Sequence, residues 1–328
     1  MRGYLRSPLA NPTDAGRREC PPSVPRSYTP HHTGLGYEVL TLESEACFVP
    51  DDMFRLLDKL VDEAVQKTKD SGAHLPVGTR EDARLVSTAI GKVLASHSFG
   101  LYIPTETLGD ALVLRNKPNE PERHIFDCDT GSFIYLTVGD VLKLPTSLVE
   151  ITLPSDAGHN YIRWQLTADM TLDWDTNGRT ECATPPNQPS FQGKSMTHDQ
   201  VIGYAYAIRA AVRNVHQDYP KALLDFRKSI ELYPESPLAS NNLAWMIATK
   251  VFDGRDQLKD EGVREATRAV SVLRTANQLD TLACAFAFRG DFAAATRTET
   301  EAIALNPNDA FSERLRRFAI PQDCTGIE

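Results

Sequence analysis

Apolar residues recur every three or four positions in two long segments of the first half of the chain. Residues 50–69 and 79–96 both show this spacing, which places their apolar side chains on one face of a helix. Asp51 and Asp52 stand at the start of the first segment, where carboxylates cap helices well. The pattern predicts helices over about 50–69 and 79–96, and the string TETLGDALVLRN predicts a third, shorter helix.

A further helix is predicted to begin at or next to Cys128 and to end before Pro145, in the string DCDTGSFIYLTVGDVLKLP. Gly139 weakens the interior of this helix, because glycine loses more backbone freedom there than other residues. The run VEITLP after it predicts a short strand. The side of the helix expected to be buried carries Phe133, Leu136, Val141, Leu142 and Leu144.

Two segments of alternating polarity follow, HNYIRWQL and MTLDWDT, separated by Thr-Ala-Asp. Strict alternation is typical of a half-buried strand, and two such segments across a short turn predict a β-hairpin. Ile162, Trp164 and Leu166 form the apolar face of the first strand. His159 lies on the opposite face of that strand.

The hairpin brings an acid close to His159. Partners in antiparallel strands point to the same face, so the tightest turn pairs Arg163 with Asp173 and leaves His159 diagonal to Asp175. A shift of two residues places His159 directly opposite Asp175. Direct and diagonal neighbours lie roughly 5–8 Å apart, so either register favours Asp175 as the partner of His159. Asp173 is the alternative acid.

Residues 178–198 contain three prolines and little periodicity, which predicts a linker or surface loop. Beyond them the sequence is helical and resembles tetratricopeptide repeats, with VFDGRDQLKDEGVREA as an insertion between two of them. Such an array is either a protein-binding surface or a structural support. The positions that match the repeat offsets are Ala222, Phe226, Pro234, Leu243, Ala244, Ile247, Leu282, Ala283, Phe286, Gly290, Ala295, Ala302 and Pro307.

Composition narrows the function classes. A net charge of −9 with scattered basic residues argues against a nucleic-acid partner. No apolar run approaches the roughly 20 residues of a membrane span, and the residues up to Thr33 lack the apolar core of a secretory signal. Six cysteines without a CxxC pair indicate mostly free thiols and a cytoplasmic location.

Cys128 and His159 carry the candidate chemistry. A cysteine at a helix start faces the positive end of the helix dipole, which favours the thiolate, whereas Asp127 and Asp129 beside it favour the thiol. A histidine oriented by a carboxylate is half of a general-base arrangement, and Cys128 supplies the nucleophile. A zinc site formed by Cys128, His159 and Cys182 is a weaker alternative. The other histidines, including His31 and His32, have no metal-binding spacing.

The strings FDCDTGSFIYL, LPTSLVE, GHNYIRW and LDWDTNG resemble the transglutaminase-like superfamily, specifically a bacterial branch with C-terminal tetratricopeptide repeats. The resemblance covers about residues 50–312. It implies that Cys128 is the nucleophile, His159 the base and an acid on the next strand its partner. Many relatives have Asp-Pro or Trp-Glu at the acid position, where this chain has a Trp-Asp pair followed by Thr. The choice between Asp175 and Asp173 therefore stays open.

These observations predict an α+β chain with a papain- or transglutaminase-like core followed by an all-α array. The expected activity is cysteine-dependent acyl transfer, with peptide or amide hydrolysis as the default reaction, on a peptide or protein substrate and without cofactor or metal. The alternative is an inactive scaffold that binds a protein partner through its repeats. The predicted divisions are a disordered segment at 1–35, the enzyme-like domain at 36–180, a linker at 181–198, repeats at 199–318 and a tail at 319–328.

Overall fold

A computed structural model describes residues 27–46, 49–101, 107–115, 121–152, 158–182 and 191–327. The chain is a mixture of helices and small sheets followed by an all-helical array. Within the described residues it divides into two compact units between Ala205 and Tyr206. This division falls a few residues after the linker expected at 181–198, inside a helix.

The helices of the first unit follow the apolar stripes of the sequence. The two long helices and the helix that begins at Cys128 lie where the periodicity predicts them. The helix expected in TETLGDALVLRN is a single turn, and a helix at residues 35–44 was not predicted. The observed bounds are Leu35–Ser44 (α1), Asp51–Lys69 (α2), Arg80–Ser96 (α3), Leu108–Ala111 (α4) and Cys128–Leu142 (α5).

A five-stranded antiparallel sheet packs against α5. The strand order is β6-β5-β4-β3-β7, so the predicted hairpin, β4 and β5, forms its middle. Its two edge strands, β6 and β7, both overlap the expected linker. The bounds are Thr146–Thr152 (β3), Gly158–Gln165 (β4), Thr171–Asp175 (β5), Thr180–Glu181 (β6) and Phe191–Gln192 (β7), and a separate parallel pair is formed by Phe99–Leu101 (β1) and His124–Phe126 (β2).

Buried side chains from α2, α3, α5 and the sheet form the core of the first unit. Trp164 is almost fully buried, and its indole N–H donates to Ser87 Oγ on α3 at 3.0 Å. This hydrogen bond satisfies the polar atom of a large buried side chain and fixes the sheet against the helix. The faces of α2, α3 and β4 predicted to be apolar are therefore the faces that are buried.

Residues 27–34 are ordered, in contrast to the prediction of disorder over 1–35. Asp51 Oδ2 accepts hydrogen bonds from the backbone N–H groups of Ser27 and Tyr28 at 3.2 and 2.9 Å. Leu35 N–H donates to Asp140 Oδ2 at 2.7 Å. Partners more than 20 residues away thus hold the segment, and they compensate for its low hydrophobicity. Residues 1–26 lie outside the described part of the chain.

The second unit contains helices only, within residues 206–327. Consecutive helices pack on one another through small residues, and Gly290 adopts a left-handed conformation (φ 95°) at the turn that the repeat pattern predicts. A short 3-10 helix at Arg255–Leu258 lies in the predicted insertion. The helices are His198–Val215 (α6), which spans both units, Tyr219–Leu232 (α7), Pro237–Thr249 (α8), Lys259–Val272 (α9), Ala276–Arg289 (α10), Phe292–Leu305 (α11) and Asp309–Ala319 (α12).

The expectation of mostly free thiols is wrong for one pair: Cys284 on α10 and Cys324 form a disulfide. The tail after α12 folds back along the array, where Gly326 N–H donates to Thr249 O at 2.9 Å. Forty residues separate the two cysteines in sequence, so no local spacing motif marks the pair. The expected tail at 319–328 is thus part of the folded unit as far as residue 327.

No helix of the described residues combines the length and the apolar character needed to cross a membrane.

Candidate active site

Cys128 is the first residue of α5, and its position is fixed by a capping box. Asp127 Oδ1 accepts from the backbone N–H of Thr130 at 3.0 Å, and the Thr130 hydroxyl accepts from the backbone N–H of Asp127 at 3.0 Å. This arrangement satisfies two N–H groups that the helix leaves without partners. It also holds the half-buried thiol of Cys128 at the positive end of the helix.

His159 and Asp175 lie on the two strands of the central hairpin. The register pairs Ile162 with Trp174 and Arg163 with Asp173, which is the register expected for the tightest turn. His159 is consequently diagonal to Asp175, and its Nε2 lies 3.6 Å from Asp175 Oδ1, slightly longer than a normal hydrogen bond. Because Nε2 faces the acid, Nδ1 is the nitrogen available to accept a proton.

The electrostatics of Asp175 suit an acid that orients a histidine. Burial alone would raise the pKa of this carboxyl, but its interaction with the His159 ring outweighs burial and holds the pKa below its usual range. The backbone N–H of Asn177 also donates to Asp175 Oδ1 at 2.9 Å. The carboxylate is therefore ionised at neutral pH and held on both sides.

Asp173, the alternative acid, is engaged elsewhere. Arg163 donates to both of its carboxylate oxygens, at 2.7 and 2.8 Å, and also to the Tyr161 hydroxyl at 2.8 Å. This bidentate pair uses the carboxylate fully. The structure thus puts Asp175, and not Asp173, beside the ring of His159.

The thiol lies near the strand that carries His159. The backbone N–H of Asn160 on β4 acts to lower the pKa of Cys128. The pairing of β5 with β4 begins only at Ile162, so the N–H of Asn160 can point out from this edge of β4. The Cys128 thiol and the Asn160 side chain share Asp129 Oδ1 as acceptor, which places the thiol near the part of β4 that follows His159.

Asp129 connects the thiol to a buried polar network that the sequence did not reveal. Its Oδ1 accepts from Asn160 Nδ2 at 2.5 Å, from the Tyr204 hydroxyl at 2.9 Å and from Cys128 Sγ at 3.6 Å. Ser132 Oγ donates to Asn160 Oδ1 at 3.3 Å. The alternation of β4 hinted that Asn160 shares a face with the buried Ile162, but Tyr204 is 75 residues away from Asp129.

The balance of these interactions favours the neutral thiol. Burial, followed by the negative charges of Asp129 and Asp127, raises the pKa of Cys128 well above its usual value, whereas the N–H of Asn160 acts in the opposite direction. Asp127 and Asp129, whose charges were expected from the sequence to disfavour the thiolate of Cys128, therefore have this effect in the folded chain. Formation of the thiolate requires a base that removes the proton.

Asp129→Asn is expected to speed alkylation of Cys128 by iodoacetamide at pH 7 by about tenfold or more. The substitution removes the nearest negative charge and keeps the size of the side chain, so the thiol pKa falls, and each unit is worth a factor of ten in thiolate. Rates are measured by intact mass and peptide mapping. Asp169→Asn, at an exposed position in the β4–β5 turn, is the control. Equal rates in the two variants would show that Asp129 does not suppress the thiolate.

Cys182 does not complete a metal site with Cys128 and His159. The Cys182 side chain packs beside Val149, Ile151 and Tyr161, and burial, followed by the charge of Asp175, raises its thiol pKa to about 12. The group that the described residues bring within ligand distance of one another is a different one, His31, His32 and Asp62. The spacing of His31, His32 and Asp62 along the chain does not indicate that group.

Comparisons with known proteins add little to this geometry. No protein family matches the chain, and no curated protein matches it. Among solved structures, the chain is similar to the N-terminal domain of stress-induced protein-1 (STI-1) from C. elegans, at 17% identity and a TM-score of 0.32, over 38% of this chain and 99% of that one. A similarity this low carries no argument about fold or function.

Proposed function

We propose that the chain is a cysteine-dependent acyl-transfer enzyme of transglutaminase-like architecture that hydrolyses a peptide or amide bond. The observation that carries the proposal is that His159 Nε2 lies 3.6 Å from Asp175 Oδ1 across the hairpin, while Cys128 begins the helix that packs against the same sheet. Asn160, the residue after His159, and the Cys128 thiol both donate to Asp129 Oδ1. Nucleophile, base and orienting acid are the groups that such catalysis uses.

The proposed reaction begins with transfer of the Cys128 thiol proton to Nδ1 of His159. The sulfur attacks the substrate carbonyl, and the backbone N–H of Cys128 stabilises the oxyanion that forms. The C–N bond breaks as His159 returns the proton to the leaving amine. Water, deprotonated by His159, then cleaves the thioester and releases the acid. The chain's own residues and one water molecule supply every group in this reaction, so it needs no cofactor.

The protonated resting state of Cys128 fits a site in which the base acts during the reaction. A thiol with a raised pKa reacts slowly with random electrophiles, because the thiolate is the nucleophile. Asp175 keeps a negative charge beside His159, and this charge stabilises the imidazolium as it forms. Proton transfer within the site therefore depends on His159 and Asp175 together.

A second candidate function is supported by the same raised pKa. A chain that has lost activity could keep the fold, and the helical array could bind a protein partner. In such a scaffold nothing selects for an activated thiol, and the carboxylates of Asp127 and Asp129 would be tolerated next to Cys128. The array is the part of the chain that would carry this function.

The experiment that tests the enzyme proposal traps the nucleophile. The full chain is incubated with a library of peptides bearing carbonyl electrophiles, and intact mass reports which compounds add. We expect adducts in the wild type that are absent in Cys128→Ala but retained in Cys182→Ala, the matched control for the other free thiol of the described residues. Adducts that distribute equally over both cysteines would contradict an activated nucleophile at Cys128 and favour the scaffold.

A further inference from the structure

Two adjacent histidines and an acid converge where the N-terminal segment crosses α2. His31 Nε2 lies 3.0 Å from Asp62 Oδ2, and His32 Nε2 lies 2.8 Å from Asp62 Oδ1. One ligand atom from each of the three residues lies within 4.8 Å of the other two. His31 and Asp62 are each about half exposed (54%) and His32 is 21% exposed, so the group opens to solvent on one side.

A buried carboxylate stands behind this group. His31 Nδ1 lies 3.1 Å from Asp58 Oδ2, while the hydroxyls of Tyr28 and Tyr37 donate to Asp58 at 2.5 and 2.6 Å. Asp58 is 1% exposed. A histidine whose Nδ1–H donates to a fixed carboxylate has its Nε2 lone pair oriented outward, which is the arrangement found around metal-bound histidines.

We propose that His31, His32 and Asp62 bind a divalent late first-row cation such as Zn²⁺, with Asp58 as the carboxylate that orients His31. Two imidazoles and one carboxylate suit zinc, and three protein ligands leave the fourth tetrahedral position open to water. The proposal does not rest on the acyl-transfer site, and it departs from the sequence-based expectation that the chain binds no metal.

The donor spacing and charge of the group fit a cation. Ligand atoms about 2.0–2.1 Å from a tetrahedral ion lie about 3.4 Å apart. The two histidine–Asp62 distances, 3.0 Å to Oδ2 and 2.8 Å to Oδ1, are close to this spacing, and one donor atom of each residue lies within 4.8 Å of the others. The third ligand, Asp62, is an aspartate, and aspartate side chains are ordinarily anions at neutral pH.

A bound cation also offsets the negative charge of the residues around His31, His32 and Asp62. Asp58 and Asp62 are two carboxylates one turn apart on α2, and Asp58 contacts Tyr28, Tyr37 and His31. A divalent cation next to them offsets their negative charge. Since His31 and His32 belong to the segment that precedes α1, the ion would fasten this segment to α2.

The test is titration of the full chain with ZnCl₂ and CoCl₂ by calorimetry and visible absorption, in a Cys128→Ser background that removes a competing thiol. We expect one ion per chain, and a Co²⁺ spectrum with d–d bands but no thiolate charge-transfer band. His32→Gln or Asp62→Asn should weaken binding by more than about 100-fold, and Asp58→Asn by about 10–100-fold, as expected for the loss of an orienting partner.

The matched control is His97→Gln, which breaks another histidine–carboxylate pair, between the residue after α3 and Glu63 on α2. His97 Nε2 lies 2.8 Å from Glu63 Oε2, next to Asp62 in sequence, so binding should be unchanged in this variant. Failure of the wild type to bind either ion, or binding that persists in His32→Gln, would overturn the proposal. In unsubstituted protein, Zn²⁺ should also protect His31 and His32 from diethylpyrocarbonate, a readout that does not depend on variants folding.

Discussion

Replacing His159 with alanine is expected to slow trapping of Cys128 by a peptide carbonyl electrophile by roughly 10²–10⁴-fold at pH 7. The reason is that the thiol pKa is raised by burial and by Asp129 and Asp127, so hardly any thiolate exists before a base acts. General-base catalysis by a positioned side chain contributes about this much in enzymes. The loss is measured as the pseudo-first-order rate of adduct formation by intact mass.

Asp175 and Asp173 offer a matched pair that isolates the orienting acid. The same change, Asp to Asn, is made two residues apart on β5. Asp175→Asn should slow trapping at least about tenfold, because the amide favours the wrong ring tautomer and no longer stabilises the imidazolium. Asp173→Asn removes the partner of Arg163 and should leave the rate within about twofold. Equal slowing in the two variants would contradict the role of Asp175.

The pH dependence of the trapping rate distinguishes loss of the base from damage to the fold. In His159→Ala the remaining reaction depends on thiolate formed in solution, so its rate should rise about tenfold per pH unit until the thiol itself titrates. The wild type, in which His159 removes the proton, should depend much less on pH over the same range. A His159→Ala variant with the wild-type profile would show that the ring takes no part.

The hairpin could be predicted because its information is local. Alternation from Ile162 to Leu166, a short turn and a matching alternation on β5 allow one tight register, and that register brings Asp175 to His159. The start of α5 could be predicted for the same reason, because Asp127 and Thr130 form a cap within four residues. Both features depend on interactions between neighbours in sequence, where periodicity and capping preferences dominate.

The features that sequence reasoning missed depend on contacts over long separations. Tyr204 reaches Asp129 from the start of α6, and Cys324 reaches Cys284 after the chain has completed α12. His31 and His32 have no ligand spacing between them, and their third partner, Asp62, comes from another helix. In each case tertiary packing determines which side chains meet. The apolar periodicities of strands (about 2 residues) and helices (about 3.6 residues) contain no information about such contacts.

The largest stability effect that we expect in the helical array is at Glu299. This α11 side chain is fully buried and faces Asp280 of α10 and Arg314 of α12. Arg314 forms a bidentate ion pair with Asp280, while its Nε lies 4.0 Å from Glu299 Oε1. One arginine cannot neutralise two buried carboxylates, so the cluster holds a proton.

The proton affects stability in a definite direction. Burial, followed by the charge of Asp280, raises the pKa of Glu299 to about 9, whereas an unfolded glutamate titrates near 4.3. Between these values the folded chain binds one more proton than the unfolded chain. The free energy of unfolding of the array therefore decreases as pH rises through this window, and it is independent of this group below about 4 and above about 9.

Glu299→Gln is expected to remove this dependence and to stabilise the array at pH 8 by on the order of 5 kcal/mol, because the amide is neutral at every pH and the deprotonation that favours unfolding disappears. Below pH 4 variant and wild type should agree closely. The measurement is hydrogen exchange in increasing urea, read by mass spectrometry on peptides from α10 to α12. These peptides report the array independently of the first unit.

Glu301→Gln provides the matched control on the same helix. Glu301 is exposed and pairs with Arg274 at the surface, where an ion pair contributes at most about 1 kcal/mol. Its removal should leave the pH slope of the array intact. If the pH slope of unfolding persisted in both Glu299→Gln and Glu301→Gln, the retained proton would belong to another group. The remaining candidate in the cluster is Asp280, whose pKa burial also raises, and Asp280→Asn would then have to abolish the slope.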